Sequence, residues 1–135
     1  LSQVEDNKPA LPAAESPFKG KTGFARLLNA LGYSFDGLRA AIRHEDAFRQ
    51  LLLLALVLIP LAFVVHATAL ARALLVASSL ATLIIELLNS AIEAAVDHTS
   101  LARHPLAKRA KDMGSAAQLL GLINLALVWG LVLFG

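Results

Sequence analysis

The chain has 135 residues, 57% of them hydrophobic and 16% charged, with a mean hydropathy of +0.66. Soluble domains carry about a quarter charged residues, so this composition excludes an ordinary water-soluble globule, whose three apolar core helices would have too little polar chain to cover them. The lack of cysteine excludes disulfides and thiolate metal sites, and the net charge of +2 matters less than where its charges fall.

Residues 1–21 hold three prolines and mixed charges without an apolar period, which predicts a disordered tail. Gly20, Lys21 and Thr22 look like the end of a phosphate-binding loop. That pattern needs a glycine five positions earlier, where Glu15 stands, and a preceding apolar strand, so it is set aside. Residues 22–49 place Phe24, Leu27, Leu28, Leu31, Phe35, Leu38 and Ile42 against Arg26, Asn29, Asp36, Arg39, Arg43 and Arg49 at helical spacing. This predicts an amphipathic helix lying in a membrane interface, weakened or bent at Gly32 and Gly37.

The first long apolar run starts near residue 51, too far along the chain for a cleavable signal peptide. Three spans are predicted, at residues 51–71 with Pro60 as a kink, 73–96 and 116–134, with a turn near residues 66–72 and a polar loop at 97–115. Each is roughly 20 residues long, which matches a ~30 Å hydrocarbon layer at 1.5 Å rise per residue. Seven of the Lys and Arg residues precede the first span, Arg72 alone lies in the first turn, and Arg103, Lys108, Arg109 and Lys111 lie in the second loop. Short loops rich in these residues stay inside, so the N-terminus and the second loop are expected in the cytoplasm and the C-terminus outside.

The second span carries Glu86, Asn89, Glu93 and Asp97 at about 0°, 300°, 340° and 20° around a helix, hence on one face. Ser79 and Thr82 continue the stripe. A carboxylate at mid-membrane costs at least ~2.5 kcal/mol. An interhelical hydrogen bond returns typically ~0.6 kcal/mol, so holding a bundle together is a weaker explanation of two glutamates than function is. Glu86 and Glu93 stand ~10 Å apart along the axis, a ladder from lipid depth towards water. It suits a reaction between a membrane-dissolved hydroxyl and a water-soluble donor, and equally a proton or cation path. Glu45, beside His44 and Asp46, could meet Glu93 at one Mg²⁺ if the surface helix packs against the second span, or could be an exposed acid among basic neighbours. Lys111 and Asp112 read either as a snorkelling lysine with a helix cap or as a phosphate ligand with its neighbour.

Four blocks carry a resemblance: GYSFDGLRAA from Gly32, EDAFRQ from Glu45, ELLNSAIEAAVD from Glu86 and RAKDMGSA from Arg109. In that order and at that spacing they closely resemble the bacterial diacylglycerol kinases over about residues 22–134. The resemblance implies an all-α homotrimer of the bacterial inner membrane, with three transmembrane helices and an amphipathic surface helix per subunit and active sites between subunits. In this scheme residues 22–135 form the kinase domain. It implies transfer of the γ-phosphoryl group of MgATP to the hydroxyl of diacylglycerol, making phosphatidic acid. By motif position, Glu86 resembles the general base, Asn89 its orienter, and Glu45 with Glu93 the pair holding Mg²⁺ against ATP. Lys111 would meet the phosphates, with Asp112 and His104 near the nucleotide and Asp97 organising the site. Arg26, Tyr33 and Ser34 would border the nucleotide and lipid sites, and Ser115 the lipid site. Leu51 stands where the family often has a second acid, and Leu31 where a smaller residue precedes GYS.

Two alternatives remain open at this level. An undecaprenol kinase would share the ATP and metal motifs, and a proton-coupled transporter would use the same acidic stripe but leave RAKDMGS without a purpose.

Overall fold

Long runs of Leu, Ala, Val and Ile with few breakers leave the backbone one way to satisfy its polar groups in lipid, the α-helix. The computed structural model describes residues 22–99 and 104–135, in four helices: α1 (Gly23–His44), α2 (Asp46–Val64), α3 (Ala69–Thr99) and α4 (Pro105–Phe134). The predicted tail at 1–21 lies outside the described residues, with Gly20 and Lys21 of the discarded loop pattern. So does the centre of the predicted second loop, at 100–103. Among the described residues, α2, α3 and α4 are long and apolar enough to cross a membrane.

Two units divide the chain, Leu1–Asp36 and Gly37–Gly135. In the first, the front of α1 exposes Phe24, Leu27, Leu28, Leu31 and Phe35, the apolar residues of the predicted interfacial helix. In the second, α3 packs against both α2 and α4. Its inward seam is Leu75, Ser79, Thr82, Glu86 and Asn89, continued by half-buried Glu93, at alternating steps of four and three residues. α4 answers with Gly114, half-buried Gln118, Gly121, Leu125 and Trp129, and α2 with Phe48, Ala55 and Ala62 at sevenfold spacing. This is the heptad pattern of helices packed nearly parallel or antiparallel. Ala62, Leu75, Leu125 and Trp129 make an apolar cluster at one end, and the seam becomes polar towards the other. Leu53, Leu56, Val57, Leu120 and Leu127 point outward and exposed, as residues solvated by lipid do.

The helix limits differ from those expected. The surface helix was predicted to run over residues 22–49, but α1 stops at His44, Glu45 is extended at φ −113° and ψ 106°, and Asp46 already opens α2. Arg49 holds this break: its guanidinium donates to the carbonyls of Ile42 at 2.8 Å and Arg43 at 3.1 Å, closing the end of α1, and pairs with Asp46. The apolar period runs unbroken through the junction, so a pattern reading cannot see it. The first turn is shorter than expected and comes earlier, at residues 65–68. Thr68 closes it by accepting the Ala71 N–H at its hydroxyl, 3.2 Å away, and Arg72 caps α2 from α3, donating to Ala62 O at 2.9 Å. Pro60 lies inside α2, which continues four residues beyond it.

The largest difference is at the predicted polar loop 97–115. α3 extends to Thr99 and α4 begins at Pro105, so Lys111, Asp112 and Ser115 are helical residues. His104 caps α4 by accepting the Leu106 N–H at Nδ1, 3.1 Å, and Pro105 supplies a preset first turn. Lys108 and Asp112 pair one turn apart at 2.6 Å. At 31 and 30 residues, α3 and α4 are about 45 Å long, some 15 Å more than a hydrocarbon layer needs. Their polar ends therefore exceed the length that an apolar layer requires.

Candidate active site

A cleft of about 400 Å³ opens where the start of α2 meets the polar ends of α3 and α4. Glu45 enters it from the α1–α2 break. Glu86, Asn89 and Glu93 enter from the seam of α3, and Ser115 and Gln118 from α4, with Leu119 and Leu122 forming its apolar wall. Five residues singled out from the sequence thus share one cavity. Glu45 occupies the cap position of α2, yet its side chain makes no capping hydrogen bond, which leaves its carboxylate to the cleft.

Glu86 is 5% exposed and is held by one neighbour: Gln118 Nε2 donates to Glu86 Oε2 at 2.9 Å and to the Thr82 carbonyl at 3.1 Å. Ser79 and Thr82, which continue the stripe, spend their hydroxyl donors on their own helix. Ser79 donates to Leu75 O and Thr82 to Ser79 O, each at 2.7 Å, while Trp129 Nε1 donates to Ser79 Oγ at 3.3 Å. They are packing residues here. Gln118 is uncharged and so lacks the insertion cost that marks the acids of the second span in the sequence. The signal available was a polar residue inside an apolar run, but Asn124 gives the same signal and is exposed.

Buried Asn89 places its Oδ1, which has no hydrogen-bond partner, against the backbone of Gly114; a Cβ added there would collide with it. Glycine at 114 is therefore the condition for Asn89 to sit between α3 and α4. Gly114→Ala is expected to push Asn89 out of place and cost about 1–3 kcal/mol of stability through overpacking. A thermal unfolding scan in detergent, with activity measured alongside, checks this; unchanged melting and turnover would contradict it.

Beyond the cleft, Lys111 Nζ bonds Asp97 Oδ1 at 3.0 Å, tying the polar end of α4 to that of α3. Lys111 lies on the polar turns that precede the apolar run at 116–134. The hydrogen bond and charge of Asp97, helped by the charge of Glu93, raise its pKa above the ordinary lysine value, so it stays cationic. Asp112 faces Lys108 and His104 caps its helix; neither lines the cleft, and nor does Asp97. Arg26, Tyr33 and Ser34 are exposed on the first unit, where the Ser34 hydroxyl donates to Ala30 O at 2.9 Å.

No group of three or more His, Asp or Glu is arranged to hold a metal ion by itself among the described residues. Glu45 and Glu93 are the cleft carboxylates not held by a neighbouring donor, and two carboxylates match what Mg²⁺ takes from a protein when phosphate and water complete its shell. The cavity can thus do three things: accept a proton at a buried carboxylate, hold a hard cation near water, and receive an apolar chain along Leu119 and Leu122.

Residues 32–133 match a family model described as prokaryotic diacylglycerol kinase. A diacylglycerol kinase of Pseudomonas aeruginosa is 58% identical over 120 residues, covering 89% of this chain and 98% of the relative. One of Helicobacter pylori strain 26695 is 52% identical over 86% of the chain and 90% of its own length. One of Escherichia coli K12 is 45% identical over 84% and 93%.

Proposed function

The chain belongs to the prokaryotic diacylglycerol kinase family, so its reaction is ATP-dependent phosphorylation of diacylglycerol, and we propose that this reaction runs in the α2–α3–α4 cleft at the cytoplasmic face. The observation that carries this reading is the convergence of Glu45, Glu86, Asn89, Glu93 and Ser115 on that one cavity.

Diacylglycerol enters from the lipid along the apolar wall and brings its hydroxyl to Glu86, with Ser115 beside it. The hydroxyl oxygen bonds to the γ-phosphorus as the bond to the ADP oxygen breaks, and its proton passes to Glu86. Phosphoryl transfer asks the protein mainly for alignment and charge neutralisation, which suits a site of a few fixed carboxylates and a lysine. Asn89, wedged at Gly114, orients the base or the acceptor. Glu45 and Glu93 would hold Mg²⁺, which would supply positive charge to neutralise the phosphates. Lys111 supplies a permanent cation to the phosphates from the water side, and Asp97 keeps it there. Asp112 and His104 flank the nucleotide, and the resemblance of the motifs assigns Arg26, Tyr33 and Ser34 to nucleotide and lipid binding. Residues 22–135 form this kinase domain.

The enzyme is a homotrimer of the inner membrane with sites between subunits. This follows the resemblance of its motifs and suits a cleft that one chain leaves open; light scattering in detergent, corrected for bound detergent, should give three chains, and a monomer mass would refute it. The excess of Lys and Arg before α2 and around the start of α4 supports a cytoplasmic N-terminus and a periplasmic C-terminus. Because ATP does not cross a sealed bilayer, sidedness is directly measurable. With γ-³²P-ATP, inverted membrane vesicles should form labelled phosphatidic acid, and intact spheroplasts should do so only after permeabilisation. Labelling of sealed spheroplasts would overturn the orientation.

A further inference from the structure

We propose that Gln118 is a positioning residue for Glu86, fixing which carboxylate oxygen meets the lipid hydroxyl. The proposal rests on the reading of Glu86 as the base.

Gln118 Nε2 has two protons and spends both on acceptors, Glu86 Oε2 at 2.9 Å and the Thr82 carbonyl at 3.1 Å. The second bond defines the first. Thr82 O belongs to the backbone of α3 one turn before Glu86, so the amide is anchored to the helix that carries the base. The amide has one orientation only, because turning it over would set Oε1 against two oxygen acceptors. Its Oε1 is buried without a partner and lies against Gly121, where an added Cβ would come within 3.0 Å of it and 2.7 Å of Ile85 Cδ1. A buried, unpaired acceptor costs about 1–3 kcal/mol. An apolar side chain would avoid that cost, so the glutamine is disfavoured for packing and is explained by what its Nε2 does.

The consequence lies at Glu86. With Oε2 engaged from α4, rotation of the carboxylate is arrested and Oε1 is left to the cleft that Glu86 lines. A base in a loosely held rotamer would offer either oxygen at varying distance, and a misplacement of ~1 Å can cost ~100-fold in rate.

The test is Gln118→Met, which keeps length and loses the donor, with Gln118→Leu as a second variant and Glu86→Gln in parallel. Phosphoryl transfer to dioleoylglycerol is measured in mixed micelles as kcat and KM for each substrate, together with Tm. The expected result is a kcat lower by ~10- to 100-fold, KM for MgATP within about twofold of wild type, and Tm unchanged or higher because the unpaired Oε1 is gone. A kcat within about twofold of wild type in both variants would overturn the proposal. So would a loss of kcat matched by a fall in Tm in both, which would make Gln118 structural. If Glu86→Gln itself remains active, the reading of the base fails first; if it is inactive while both Gln118 variants are normal, the positioning role alone fails.

Discussion

Glu86→Gln should leave a folded protein with about 10²- to 10⁴-fold less kcat. The substitution is nearly isosteric, and the new amide oxygen can still accept the N–H of Gln118, so the one side-chain hydrogen bond that holds residue 86 survives. What disappears is the ability to take the proton of the lipid hydroxyl. The measurement is transfer of ³²P from MgATP to dioleoylglycerol in mixed micelles, with Tm and particle mass confirming an intact fold. Turnover within about tenfold of wild type would remove Glu86 from the chemistry and turn attention to its role in packing α3 on α4.

Chelation of divalent ions should abolish turnover, and added Mg²⁺ should restore it. Neutralisation of phosphate charge by a cation is worth several kcal/mol in such reactions, or at least ~10²-fold in rate. The more specific expectation concerns Glu93 on α3 and Glu45 at the α1–α2 break, which face one cleft. If both hold the ion, Glu93→Gln and Glu45→Gln should each move the Mg²⁺ activation curve to higher concentration, and excess Mg²⁺ should recover part of the lost rate. A Glu45→Gln enzyme with the wild-type Mg²⁺ curve would leave Glu93 as the only protein ligand. Neither substitution should alter the affinity for diacylglycerol, whose chain is proposed to lie along Leu119 and Leu122.

The two predictions differ in how they could have been reached. Glu86 and Glu93 stand out in the bare sequence because a carboxylate in an apolar helix is costly, and their spacing puts them on one side of any helix. Glu45 is different. That it shares a cleft with Glu93 depends on α1 ending at His44 and on Arg49 capping that end, and neither is encoded in a hydrophobic period. Lys111 and Ser115 were legible as residues but not as helical ones, because the polar start of α4 owes its form to a histidine cap, a proline and an ion pair rather than to an apolar face. Gln118 was hidden for a third reason. Polar residues occur at 118 and 124 of the same span, and only packing shows that the first faces α3 while the second is exposed.

The sequence by itself determined the solvent, the helical class, the number of long apolar helices and the acidic stripe. These follow from local quantities, the hydropathy of a run and the 100° step of a helix, which need no knowledge of neighbours. The tertiary structure decided where helices stop, which residue of α4 grips Glu86, and that glycines at 114 and 121 let Asn89 and Ile85 come close. These depend on contacts between segments as much as 50 residues apart, such as Trp129 with the Ser79 hydroxyl, whose energy exists only once both helices are formed and packed.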